Sequence, residues 1–174
     1  KTLGAEVDVI SVIGGCKTSE ELKKLLLKIK INTDYLIVQK NRITSKKSRI
    51  IADQQQVVRY DQESTDEINN NSQMAIIKIF KSIINDYEVI LLSDYGKGLL
   101  TFDLTQSLIS IASQHSKKLL IDPKGKDYSK YKGAYLLTPN KKEASEATNI
   151  SINDPESLTK AIQNLKEQCD LEVS

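Results

Sequence analysis

Asp94, Lys97, Asp122, Lys124, Asn140 and Glu143 fall in three short polar turns, and each turn directly follows an apolar run. Leu91-Leu92 leads into Ser93-Asp94-Tyr95-Gly96-Lys97-Gly98. Leu119–Ile121 leads into Asp122-Pro123-Lys124-Gly125, and Tyr135–Leu137 into Thr138-Pro139-Asn140-Lys141-Lys142-Glu143. Carboxylates beside ammonium groups suit a phosphorylated ligand and a metal ion. Lysine meets phosphate as a compact charge, and glycine lets the backbone come close to a ligand. If the apolar runs are parallel strands, the turns share the carboxyl edge of one sheet, where open α/β sheets bind ligands.

Each turn also has a purely structural reading. Asn140-x-x-Glu143 at a strand-to-helix junction is the pattern of a capping box, with both side chains satisfying free N–H groups of the first helical turn. The same helix N-terminus is an anion site, where Glu143 would act on a cation such as Mg²⁺ through its water shell. Asp94 and Lys97, in a turn with Gly96 and Gly98, also make an ordinary tight turn with solvated charges. Asp122-Pro123-Lys124-Gly125 is common turn vocabulary. The coincidence of three such turns carries more weight than any one.

The elements that position these turns follow from periodicity. Gly4–Ile13 is expected to be a strand ended by Gly14-Gly15. A helix over Ser19–Lys30 follows, with Leu22, Leu25, Leu26 and Ile29 on one face and Thr18 or Ser19 as its cap. Tyr35–Val38, Lys47–Ala52 and Gln56–Tyr60 are short and rich in β-branched residues. They predict a strand and then an antiparallel hairpin turning near Ala52–Gln55, together an appended β-ribbon over residues 35–62. Ile76, Ile77, Phe80, Ile83 and Ile84 mark another helix. Beyond it, strands at Val89–Leu92, Lys118–Ile121 and Ala134–Leu137 alternate with helices at Thr101–Ser113 and Asn140–Ala147. A last helix opens at Asp154-Pro155. The expected class is α/β, a mostly parallel sheet flanked by helices.

Composition narrows the class further. The 174 residues, 39% apolar and 28% charged with net charge +2, suit one soluble domain or most of one. No basic stripe with interleaved aromatics points to nucleic acid. No apolar run approaches ~18 residues, so no membrane span is expected. Cys16 and Cys169 form no CxxC motif and are expected to be reduced thiols in a cytoplasmic protein. His115, at a helix end, is expected to lie on the surface.

Three segments together carry a resemblance: LLSDYGKGLL, LIDPKGKDYSKYKGAYLLTPNKKEAS and KKSRIIADQQQVVRYD. The chain resembles the ribokinase-like sugar kinases of the PfkB family. Within that family it is similar to the bacterial heptose-7-phosphate kinases of ADP-heptose synthesis. The resemblance implies a ribokinase-like fold with a small β-ribbon lid, and a cytoplasmic kinase using ATP and Mg²⁺. Its reaction would move the γ-phosphate to the anomeric hydroxyl of D-glycero-β-D-manno-heptose 7-phosphate, feeding lipopolysaccharide core synthesis. Asn140, Lys141, Lys142 and Glu143 would then serve the nucleotide and Mg²⁺, with Glu143 acting through water. Asp94, Lys97, Asp122 and Lys124 would line the active-site edge. Lys47, Arg49, Gln56 and Arg59 would belong to the lid, which in such kinases often pairs with a second subunit.

The family pattern also includes an N-terminal strand with a sugar-binding Asp, a GGAANVA-like segment, and a later GAGD motif with the catalytic base. None of these occurs in this sequence. The expectation is a partial kinase domain over 1–174, truncated at both ends, with no catalytic base of its own and little activity alone. The alternatives are another sugar kinase of the same fold, or a non-catalytic module that binds nucleotide or oligomerises.

Overall fold

The computed structural model describes residues 1–173, and the chain divides into two compact units, Lys1–Ile76 and the part from Ile77 onward. In the first unit a short strand, β1 (Ser11–Ile13), pairs in parallel with β2 (Leu36–Val38) across the helix α1 (Lys17–Lys28). The expected strand over Gly4–Ile13 is therefore confined to its last residues, because only those have a partner. α1 also starts earlier than its leucine periodicity suggests. Its N-cap is Cys16, which makes no side-chain cap hydrogen bond.

Ser19, expected as a cap, is used inside. It is buried, and its hydroxyl donates to the Gly14 carbonyl (2.6 Å) and lies 2.7 Å from Thr44 Oγ1, which accepts from Gly14 N–H at 2.8 Å. This closed ring of bonds satisfies the backbone where β1 ends. It also explains Gly14, since a Cβ there would sit 2.0 Å from the Arg42 carbonyl oxygen.

The ribbon is an antiparallel hairpin of β3 (Lys46–Ala52) and β4 (Gln55–Gln62). Residues 36–38, expected within it, belong instead to the parallel pair with β1. Asp53 (φ 46°) and Gln54 (φ 68°) form a two-residue turn with both residues left-handed, the geometry that matches the twist of a tight hairpin. A bulge between Ile50 and Ile51 shifts the register. Almost every ribbon residue is exposed.

Helix α2 (Asn70–Ile83) leads into the second unit. There β5 (Val89–Ser93), β6 (Lys118–Asp122) and β7 (Leu136–Leu137) form a parallel sheet in the order β5-β6-β7. Helix α3 (Phe102–Gln114), capped by the Thr101 side chain, makes the crossover and buries Leu104, Leu108, Ile111 and Ala112. Helices α4 (Lys141–Thr148) and α5 (Pro155–Cys169) both open on capping boxes, from Asn140 and Asp154. Ile121, Ala134 and Ala161 are wholly buried at the centre of this unit. Because all three strands run the same way, the residues after Ser93, Asp122 and Leu137 emerge on one edge.

Cys16 and Cys169 are both free. Among the described residues no helix is long and apolar enough to cross a membrane. His115 is the C-cap of α3, its Nδ1 2.9 Å from the Ile111 carbonyl.

Replacing Gly14 with alanine forces a methyl group into the Arg42 carbonyl. The expected outcome is a loss of about 1–3 kcal/mol in urea-induced unfolding, the usual cost of overpacking a fixed site, with no change in far-UV circular dichroism of the residual folded state.

Candidate active-site edge

Asp94 follows β5 and is buried at 6% exposure. A carboxylate taken out of water needs full pairing, and Asp94 has it. Oδ1 accepts from Gly96 N–H at 2.7 Å. Oδ2 accepts from Lys130 Nζ at 2.6 Å and from the Tyr131 hydroxyl at 2.7 Å. The Asp94 N–H extends the strand ladder by donating to the Asp122 carbonyl at 2.9 Å. Gly96 is left-handed at φ 63°, which the tight turn over Asp94 demands. Asp94 is thus an internal clamp of the edge rather than a solvated turn charge. Lys97 lies half-buried in the same turn.

Lys130 and Tyr131 were not singled out from the sequence. They lie in a short 3-10 turn between β6 and β7. Lys130 also donates to the Leu100 carbonyl at 3.3 Å and stands 5.1 Å from the centre of the Tyr131 ring. Tyr131 has no exposed surface, and Tyr128 meets it edge-on with ring centres 5.4 Å apart. Burial raises the Tyr131 phenol above its ordinary value, so the hydroxyl keeps its proton. The signal in the sequence was the run Asp127-Tyr128-Ser129-Lys130-Tyr131, whose two tyrosines and lysine are dense for a loop.

Lys124, after β6, is the exposed cation of the edge. Its Nζ lies 2.8 Å from Glu143 Oε1. The other Glu143 oxygen, Oε2, accepts from Asn140 N–H at 3.1 Å, while Asn140 Oδ1 accepts from Glu143 N–H at 3.0 Å. The capping box and the charge site are therefore the same residues: one carboxylate oxygen caps α4 and the other faces a lysine. The Lys124 hydrogen bond holds the Glu143 carboxyl below its ordinary value, and Glu143 holds the Lys124 ammonium above its own.

The structure brings together, on one edge, Asp94, Asp122, Lys124, Asn140 and Glu143. Lys141 and Lys142 differ: they line an open cavity of about 430 Å³ with Ser145, Ser151, Ile152 and Asn153. Lys142 also stands 3.8 Å from Glu146, one helical turn on. Lys47, Arg49, Gln56 and Arg59 lie in the other unit, exposed on the ribbon. Lys47 pairs opposite Asp61, Arg49 opposite Arg59 and Ile51 opposite Gln56. Alternation puts these on one ribbon face, with Ile50, Val58 and Tyr60 on the other. Arg59 is bridged to Asp61 at 3.0 Å.

Depressed pKa values make a carboxylate stabilising above its unfolded pKa, and the contribution is lost as pH falls through the folded value. Glu143→Gln keeps the cap acceptor but removes the charge facing Lys124. It is expected to lower stability only modestly at pH 7, because the lysine of the pair is exposed to solvent. The gap from the parent should shrink below about pH 4. Urea titrations of both proteins at pH 7 and pH 3.5 measure this; an equal gap at the two pH values would mean the charge contributes nothing.

Comparison with known proteins adds the family. Residues 1–173 match the family described as pfkB family carbohydrate kinase. The bifunctional protein HldE of Aliarcobacter butzleri is 64% identical over 173 residues, and that of Sulfurimonas denitrificans 50% identical over 172. The matches cover 99% of this chain but 36% of each relative, so the chain spans about a third of their length. Among solved structures, phosphofructokinase-2 from Escherichia coli superposes with a TM-score of 0.71 at 19% identity, covering 98% of this chain and 56% of that one. Arabidopsis thaliana ribokinase, complexed with ribose and ATP, gives 0.68 at 11% identity, covering 95% and 53%. The fold is ribokinase-like, as the sequence resemblance implied, and the chain belongs to the pfkB family of carbohydrate kinases.

Proposed function

We propose that the protein carrying this chain is a sugar-phosphate kinase, which moves the γ-phosphoryl group of ATP to the anomeric hydroxyl of D-glycero-β-D-manno-heptose 7-phosphate. The observation that carries the kinase reading is the Lys124–Glu143–Asn140 arrangement at the N-terminus of α4, on the carboxyl edge of a parallel sheet. The acceptor is narrowed by the SDYGKG, DPKGKDYSKYKGA and ribbon segments and by the high identity to HldE proteins.

In the reaction the anomeric oxygen forms a bond to the γ-phosphorus as the bond to the β,γ-bridging oxygen breaks. ADP leaves and the anomeric proton passes to a base outside these residues. Such transfer depends on positioning and on neutralising charge. Lys124 is assigned to the phosphate oxygens, swinging from Glu143 when a more negative partner arrives. The first-turn N–H groups of α4 add the positive end of the helix dipole.

Among the described residues no group of three or more His, Cys, Asp or Glu side chains could hold a metal. Mg²⁺ in kinases is commonly held by one or two carboxylates, substrate phosphates and retained waters. One carboxylate with one committed oxygen, as at Glu143, fits that mode through water only. When bound with ATP, Mg²⁺ would neutralise phosphate charge. Asn140 fixes the Glu143 carboxylate for that role, and Asp94 and Asp122 shape the edge.

The ribbon is assigned to the acceptor as a lid. Lys47 and Arg49 share a ribbon face with Arg59, whose charge is bridged to Asp61, and an anionic sugar phosphate would meet the first two there. Ile50, Val58 and Tyr60 on the opposite face supply an apolar surface through which two ribbons would pair.

In the intact protein, Lys124→Ala and Asn140→Ala are expected to lower kcat/KM for ATP by about 10- to 1,000-fold, the scale of losing a positioned charge or donor at a reacting phosphate. Coupled ADP-release assays with heptose 7-phosphate, ribose and fructose 6-phosphate as acceptors would measure it. Full activity in both variants removes the site assignment, and preference for another acceptor removes the heptose assignment. Light scattering is expected to show a dimer, converted to monomer by Ile50→Asp with Val58→Asp; a monomer before substitution refutes ribbon pairing.

A further inference from the structure

The Asp127–Tyr131 segment has no place in the chemistry above, yet Tyr131 lies wholly buried behind it, its hydroxyl bonded to both Lys124 and Asp94. Packing against Tyr128 needs only the ring, and a phenylalanine would supply that. The hydroxyl does something else. It accepts from Lys124 N–H at 3.1 Å, donates to Asp94 Oδ2 at 2.7 Å, and lies 3.2 Å from the Lys124 carbonyl.

Lys124 needs such a partner. It follows Pro123 beyond the last ladder pair of β6, Ser93 with Asp122, so its N–H has no strand to bond. The residue after it, Gly125, is left-handed at φ 96°, so the chain turns away from the sheet's strand direction here. The Tyr131 hydroxyl holds the Lys124 N–H at this turn, and Asp94 holds the hydroxyl. Asp94 is itself held by Gly96 N–H and Lys130. From this anchored backbone the Lys124 ammonium reaches Glu143 at 2.8 Å.

We propose that Tyr131 is a positioning residue for phosphoryl transfer, tying the Lys124 backbone to the buried Asp94 carboxylate so that the Lys124 ammonium is held at the α4 N-terminus. The inference rests on the assignment of Lys124 to the phosphates. Tyr131 touches neither substrate; it acts through Lys124.

A double-mutant cycle in the intact protein tests it. Tyr131→Phe is expected to lower kcat by about 10- to 100-fold, the scale of a small misplacement of a reacting group, with KM for ATP changed far less. In a Lys124→Ala background the same substitution should cost nothing further. A loss that multiplies across the two sites overturns the proposal, because a purely structural tyrosine would act independently of Lys124. Should Tyr131→Phe fail to fold, Asp94→Asn, which weakens the acceptor of the hydroxyl, takes its place in the same cycle.

Hydrogen–deuterium exchange separates this inference from the kinase assignment. The Lys124 amide should exchange at least about tenfold faster in Tyr131→Phe, while Ile121 in β6 stays protected, as expected for local opening. Unchanged exchange at Lys124, or an equal rise at Ile121, refutes the positioning role whatever the activity. Full activity in Lys124→Ala together with the expected exchange pattern would instead refute the phosphate assignment and leave the tether standing.

Discussion

A charge with almost no access to water, the Asp94 carboxylate, is the constraint on which the carboxyl edge of the β5-β6-β7 sheet depends. A buried ion is tolerable only when its lone pairs are taken up by donors, and removing one partner of such a pair is far more costly than never having built it. Asp94 draws those donors from different parts of the chain: Gly96 from its own turn, and Lys130 and Tyr131 from the segment after β6. Each donor is thereby located by the electrostatics of one group. The turn after β5 and the turn after β6 cannot shift separately without leaving that charge unpaired.

This arrangement sorts the cations of the edge into two kinds. Lys130 is committed inward, with its ammonium on Asp94 and on the Leu100 carbonyl. Lys124 is half in solvent and paired with a carboxylate that is itself shared with a helix cap. An ion pair of that sort is weakly held and can be exchanged for a more highly charged partner. The rigid pair and the exchangeable pair are joined through one phenol, so stiffness and responsiveness sit a single residue apart.

Much of the second unit was legible because its signals were local. Proline at the start of α5, the Asn140-x-x-Glu143 box and the apolar runs ending in turns each mark a boundary within a few residues, and the parallel edge follows from strand–helix alternation. What failed to show was long-range partnership. Ser19 has the composition of a cap, yet its hydroxyl is drawn to Thr44, 25 residues away. Asp94 has the composition of an exposed turn acid, yet its partners lie 36 and 37 residues on. The strand at Gly4–Ile13 was overextended for the same reason: alternation shows which residues suit a sheet, and pairing decides which of them join one. Lys141 and Lys142 share a motif with Glu143, but successive helical positions point in different directions, and the two lysines line a cavity with Ser145, Ser151, Ile152 and Asn153.

The tether from Asp94 to Glu143 has a consequence for how the protein is made. Its links span 37 residues from Asp94 to Tyr131, 7 from Lys124 to Tyr131, and 19 from Lys124 to Glu143. All of them lie within one continuous stretch of a chain that emerges from the ribosome at about 5–20 residues per second. Asp94 is made before either of its distant donors, and it waits in water, where a lone carboxylate costs nothing, until Tyr131 emerges seconds later. Closure of the edge therefore cannot precede the synthesis of Tyr131: the charge can be desolvated only once the groups that compensate it exist.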